Sequence, residues 1–150
     1  MSIANTIAEL AEALKPIDPT PQPKPARIYT NPAEALTLAD FPAIVLALAP
    51  NVENEWGSEA TGPNTLGQHQ YIIAVYVFVG SRETTKLPEL HSRVLPWVEP
   101  VAKALFASLT LGGSVYSIGP LRYQIGPIEW ADSTYFGIRF LLQITEYVEV

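Results

Sequence analysis

The 150-residue chain has no cysteine and one methionine, and only 16% of its residues are charged. Without cysteine there are no disulfides, no thiol nucleophile and no cysteine-ligated zinc. Globular proteins usually carry about 25% charged residues. A chain with so few must bury more of its surface internally or share it with partners. Basic residues are scarce too: nine Lys and Arg stand against fifteen Asp and Glu, a formal net charge of −6. No basic stripe appears, which argues against general nucleic-acid binding, because that needs cations to displace counterions from phosphates. No apolar run approaches the roughly 20 residues of a membrane-spanning helix, and no membrane partner is expected. The first fifteen residues, MSIANTIAELAEALK, lack a basic leader and include Glu9 and Glu12, so they are not expected to be a signal peptide.

Proline, in contrast, is plentiful, at fourteen residues. Ile3, Ile7, Leu10 and Leu14 recur at helical spacing, with Ser2 as cap and Pro16 as stop, and predict a first helix. A Pro-rich connector follows over 16–26, stiff and extended, wrapping the helix onto the body of one domain over 1–150. Arg27–Thr30 suits a short strand. Asn31–Ala35 suits a helical turn, with Asn31 as cap and Pro32 at the first helical position. Ala43–Leu48 is a buried strand between Pro42 and Pro50, and Asn51–Trp56 a second strand. Gly57–Gly67 is dense in turn residues and is expected to be the loop of a long hairpin joining this strand to the next.

GQHQYIIAVYVFVG, over 67–80, is β-branched or aromatic almost throughout and predicts a long strand. One face carries His69, Tyr71, Ile73, Val75, Val77 and Val79. The other carries Gln70, Ile72, Ala74, Tyr76 and Phe78. Both faces are apolar, whereas a small antiparallel sheet commonly leaves one to water. Either a neighbouring subunit or a folded-over element of the same chain is expected to cover the second. Beyond Gly80 the period becomes helical. Leu90, Val94, Val98, Val101 and Leu105 mark a helix over about 88–108, kinked or broken near Pro96–Pro100. Ser114–Ile118, Leu121–Trp130 and Tyr135–Glu149 return to strand, the last two as a hairpin. In the final strand Phe136, Ile138, Phe140, Leu142 and Ile144 share a core face, while Tyr135, Arg139, Leu141 and Tyr147 share a mixed one. The order predicts an α+β fold: an antiparallel, possibly mixed, β-sheet with an N-terminal helix and a long second helix packed on one face.

The sequence contains no P-loop, dinucleotide fingerprint, H-E-x-x-H or nucleophile elbow. His69 and His91 lack metal-ligand spacing, and each reads as structural. No catalytic residue, cofactor or metal is expected, and the chain is not expected to be an enzyme. Glu53 and Glu55, two apart on the expected second strand, share a face. They suit either a solvated hairpin end or a basic group on a neighbouring chain. Tyr and Trp are enriched at interface centres. The candidate interface residues are therefore Glu53, Glu55, Trp56, Tyr76, Tyr135, Arg139, Leu141 and Tyr147.

The succession of an N-terminal helix, a strand pair in DFPAIVLALAPNVENEW, the long strand GQHQYIIAVYVFVG, the helix LPELHSRVLPWVEPVAKALFASL and the closing strand YFGIRFLLQITEYVEV resembles the tail terminator (tail-to-head joining) proteins of long-tailed bacteriophages. The Pro-rich connector and the prolines within the second helix depart from that pattern. The resemblance implies a structural protein of the virion neck, assembled in the host cytoplasm. Its subunits would form a homo-oligomeric ring, a hexamer, that caps the tail tube protein, ends tube polymerisation and meets the head-completion or connector protein. DNA would pass through without specific binding, as an acidic surface allows. A cyclic ring joins two different patches of each subunit. Three other readings stay open: a different neck or tail-completion protein, a secretion-apparatus subunit, and a small-ligand-binding or enzymatic α+β domain.

Overall fold

A computed structural model describes residues 3–20, 23–30, 41–50, 52–61, 64–81, 85–107, 115–118, 120–130 and 133–149, with side chains for all of these but 58–61, 64–66, 115–118 and 147–149. Helix α1 (Ile3–Leu14) precedes strands β1 (Arg27–Tyr29), β2 (Ala43–Leu48), β3 (Glu55–Thr61) and β4 (Asn64–Ser81). Then come α2 (Leu87–Val94), a 3₁₀ turn (Leu95–Trp97), α3 (Val98–Ala107), β5 (Val115–Ile118), β6 (Arg122–Trp130) and β7 (Ser133–Glu149). The strands form one seven-stranded sheet ordered β1-β2-β4-β7-β5, with β3 also on β4 and β6 also on β7. Among the described strands only β1–β2 is parallel, so the sheet is mixed and the fold is α+β.

Two strands organise the sheet. β4 and β7 pair antiparallel from Leu66↔Glu149 to Ser81↔Tyr135, with a bulge between Phe78 and Gly80. On its other edge β4 is shared end to end, by β3 along 64–70 and by β2 along 73–78. The outer edge of β7 is shared likewise, by β6 along 133–141 and by β5 along 144–146. Gly137 is needed at the bulge. A Cβ there would lie 1.9 Å from the Val77 carbonyl oxygen, so the two backbones approach more closely than any side chain permits.

The helices lie on one face. Leu10 and Leu14 of α1, Leu90 and Val94 of α2, Trp97, and Val101 and Leu105 of α3 pack with Ile73, Val75 and Val77 of β4 and with Phe136, Ile138, Phe140 and Leu142 of β7. The break expected near Pro96–Pro100 is present, and it comes at low cost. Pro96 sits inside the 3₁₀ turn, and Pro100 is in the first turn of α3, where backbone N–H groups need no helical acceptor. The connector adds Ile17 to the same core.

Helix α1 is also held by a polar contact. Thr6 is buried, and its hydroxyl donates to Oε1 of fully buried Glu146 at 3.0 Å. The Tyr71 hydroxyl donates to the same oxygen at 2.6 Å, and the Thr6 and Tyr71 hydroxyls lie 2.9 Å apart. Burial, followed by the hydrogen bond to Glu146, holds the Tyr71 phenol above its ordinary pKa.

Two expectations are corrected. The stretch 57–67 is not a loop, because β3 runs on to Thr61 and β4 begins at Asn64, making a hairpin. From Leu66 onward the C-terminal end of β7 supplies a pairing template for β4, and β3 pairs with β4 in turn. The second strand begins at Glu55, not at Asn51, so Glu53 lies in the preceding segment and shares no strand face with Glu55. The turn expected at Asn31–Ala35 falls outside the described residues.

Candidate functional site: a groove on the second sheet face

The pairing register determines what meets on the face away from the helices. One cross-strand row holds Val45, Tyr76, Arg139 and Gln124. The next towards the C-terminal end of β2 holds Ala47, Ala74, Leu141 and Arg122. The row on the opposite side holds Ala43, Phe78, Gly137 and Gly126. Directly paired side chains on one face are in reach of one another, so a Gly–Gly pair leaves a gap in the surface. A groove of about 430 Å³ opens here, lined by Pro50, Tyr76, Arg139 and residues 124–130 of β6.

One end of the groove is aromatic. Trp130 meets Tyr76 edge-on at 5.0 Å and Phe78 at 5.9 Å, Phe78 meets Tyr135 at 5.6 Å, and Phe41 meets Tyr135 at 5.6 Å. Ile128 and Trp130 of β6 thereby reach over β4, and Tyr76 and Phe78 are buried within the single chain. For these two residues the expected cover is an element of the same chain. Further along, Ile72, Arg139 and Leu141 remain half-exposed.

The other end is polar. Arg139 Nη2 donates to Gln124 Oε1 at 3.0 Å, which holds the guanidinium in place without neutralising it. Neither Arg139 nor exposed Arg122 pairs with a carboxylate among the described residues. Burial raises the pKa of the Tyr76 phenol, and the charge of Arg139 opposes that rise. Tyr76 therefore stays a neutral hydroxyl at physiological pH. The rim also carries one anion, exposed Glu129.

The sequence candidates fall into two groups. Tyr76 and Arg139 are direct cross-strand neighbours, Leu141 lies in the adjacent row and Tyr135 in the aromatic cluster. Glu53, Glu55 and Trp56 sit together elsewhere, at the start of β3. Both glutamates are exposed and have no cation partner among the described residues. Trp56 is 63% exposed and stacks on His69 at 4.3 Å, on the opposite face from Glu55. The backbone of Tyr147 pairs with Gln68, and its side chain lies outside the described set.

Sequence reasoning missed Gln124, Arg122 and the glycine pair. Their signal was the alternation of β6, where Arg122, Gln124, Gly126, Ile128 and Trp130 share a face, set against that of β7. Among the described residues no group of three or more His, Asp or Glu is placed to hold a metal, and no helix is long and apolar enough to cross a membrane. Set against known proteins, the chain matches no family model and no curated sequence.

Proposed function

We propose that the chain is a non-enzymatic phage tail assembly protein whose copies form a ring on the end of the tail tube, stop its polymerisation and join it to the head connector. The observation that carries this reading is the asymmetry of the sheet. One face is closed by helices, while the other offers a half-open groove with aromatic walls and an un-neutralised arginine. Aromatic residues and arginine are the side chains enriched where protein partners meet. The order of helices and strands, which resembles that of tail terminators, supports the same reading.

In this reading the ring is a hexamer in the virion neck, the tail tube protein and the head-completion protein are its two partners, and DNA passes through without sequence-specific contact. The test adds purified protein to polymerising tail tubes and follows tube length and end structure by negative-stain microscopy. Rings at tube ends and arrested elongation are expected. Tubes that elongate unchanged and carry bare ends would overturn the proposal.

A small-ligand site is the second reading. The groove volume favours it, falling within the roughly 300–1,000 Å³ of small-molecule pockets. Thermal stabilisation by aromatic carboxylates in a compound screen, lost in Arg139→Ala, would favour that reading over the ring.

A further inference from the structure

The groove and the segment that opens β3 carry opposite, uncompensated charge. Arg139 lines the groove and Arg122 lies in the next cross-strand row, neither with a carboxylate partner among the described residues. Glu53 and Glu55 stand in a stretch, 48–70, that contains no Lys or Arg at all. The segment also exposes two apolar side chains, Val52 and Trp56, and the groove has an aromatic wall. Asn54 Oδ1 accepts a hydrogen bond from the Ile72 backbone N–H at 3.4 Å, which anchors the segment to β4.

Within one chain the two sets cannot meet. Glu55 is paired with Gln70 and Arg139 with Tyr76, six residues further along β4. At about 3.3 Å per residue that is roughly 20 Å along the strand, and further strand spacings separate β3 from β6. Both are fixed to one sheet, so neither can bend to reach the other.

We infer that the acidic segment 52–56 of one copy seats in the Arg139 groove of a second copy, as a head-to-tail contact. Glu53 and Glu55 then meet Arg122 and Arg139, Val52 covers the aromatic wall, and Trp56, on the other face of β3, packs beside the groove. Each copy retains one unused patch of each kind. The contact is therefore heterologous and propagates until it closes into a ring. This deepens the ring reading and depends on it only for closure. Glu129 borders the groove but alternates with Ile128 and Trp130 along β6, so its removal must not weaken association.

The absence of cysteine makes a clean experiment possible. Val52→Cys and Glu129→Cys place one thiol at or beside each patch without touching any of the four charges. With a short bis-maleimide, the double variant is expected to give a ladder of linked species. Either single variant alone is expected to give none, and an equimolar mixture of the two single variants to give linked dimers only. Adding Glu53→Arg and Glu55→Arg, or Arg122→Glu and Arg139→Glu, to the double variant should lower the yield at least about tenfold. Combining all four charge reversals should restore the ladder, which also shows that the reversed chains still fold.

A link formed by Val52→Cys alone would show a symmetric contact and overturn the inference. So would the absence of a ladder, or a ladder indifferent to charge reversal. Native mass measurement of the wild-type chain separates this outcome from the ring reading. Closed oligomers without the Val52–Glu129 link would overturn this contact and leave the ring reading standing. A charge-dependent ladder that never closes would support the contact and count against the ring.

Discussion

The two faces of the sheet are built from the same strands and end up with different duties. On β4 the two faces are nearly equal in apolar character: Ile73, Val75 and Val77 on one, Ile72, Ala74, Tyr76 and Phe78 on the other. The difference enters through β7. Towards the helices it contributes Phe136, Ile138, Phe140 and Leu142, all buried. Towards the groove it contributes Gly137, Arg139 and Leu141. Large side chains on the first face leave no gap and are sealed by α1, α2 and α3. A glycine and a cation on the second leave a hollow with a charge beside it. Whether an apolar strand is core or interface is thus decided by the strand it pairs with.

Adjacent residues of β7 give the sharpest way to break that comparison. Phe140 is fully buried beneath the helices and Leu141 is half-exposed beside the groove. Phe140→Ala should cost about 3–5 kcal/mol in denaturant unfolding, as large aromatic deletions in a closed core do. Leu141→Ala should cost about 1 kcal/mol or less, because part of its surface already meets water. Equal losses would mean that the second face is as closed as the first. Gly137→Ala comes next. Its Cβ would collide with the backbone of β4 rather than with a movable side chain, and a loss of about 3 kcal/mol is expected, the upper end for overpacking. A loss within about 0.5 kcal/mol would show that the two long strands can separate locally.

How much of this was legible beforehand differs between the two faces. The covered face could be read directly, because helical spacing in 87–107 and alternation in 136–144 both survive in one dimension. β2 was read with its ends correct, between two prolines. The hairpin over 55–70 was expected, but its strand ends were not, because 57–67 was read as loop. Gly57, Asn64 and Gly67 read as turn residues, yet all three lie in strand, and the partner of Gly67 is Val148 of β7, some eighty residues away. The groove was half legible. Tyr76 and Arg139 were singled out, but that they adjoin Gln124 and a Gly–Gly pair depends on the β6–β7 register. A slip of one residue would turn all of these side chains to the other face. Thr6 and Glu146 were missed for a related reason. A single polar residue on an apolar stripe carries no sign of a partner 140 positions away.

The buried contact of Tyr71 with Glu146 and Thr6 tests the covered face at its polar end. Tyr71→Phe removes a hydroxyl from a buried carboxylate whose other oxygen, Oε2, already lacks a partner among the described residues. A loss of about 1–3 kcal/mol is expected. The effect also has a pH signature. The Tyr71 phenol is raised in the folded state above its ordinary value of 10.0, so above that pH the unfolded chain gives up its proton while the folded chain keeps it. Stability from this group is complete below about pH 10 and falls as pH rises further. In Tyr71→Phe the decline above pH 10 should be shallower than in the wild type. A decline of unchanged steepness would assign it to other groups.

Trp56 should have the smallest effect on the fold, and the reason separates folding from assembly. Its ring stacks on His69 at 4.3 Å with the planes 8° apart, yet most of its surface lies in water. Removing it forfeits one aromatic pair and little burial, since an exposed side chain has almost no transfer energy to lose. Trp56→Ala should therefore lower monomer stability by about 1 kcal/mol or less. The same substitution should cut the yield of the Val52–Glu129 cross-link severalfold if the indole is buried against a second copy, because the area it covers is then removed from water only on association. Like the charge reversals, it should have an effect that is larger between chains than within one. A loss of stability comparable to that of Phe140→Ala, with cross-linking unchanged, would place Trp56 in the fold and remove it from the interface.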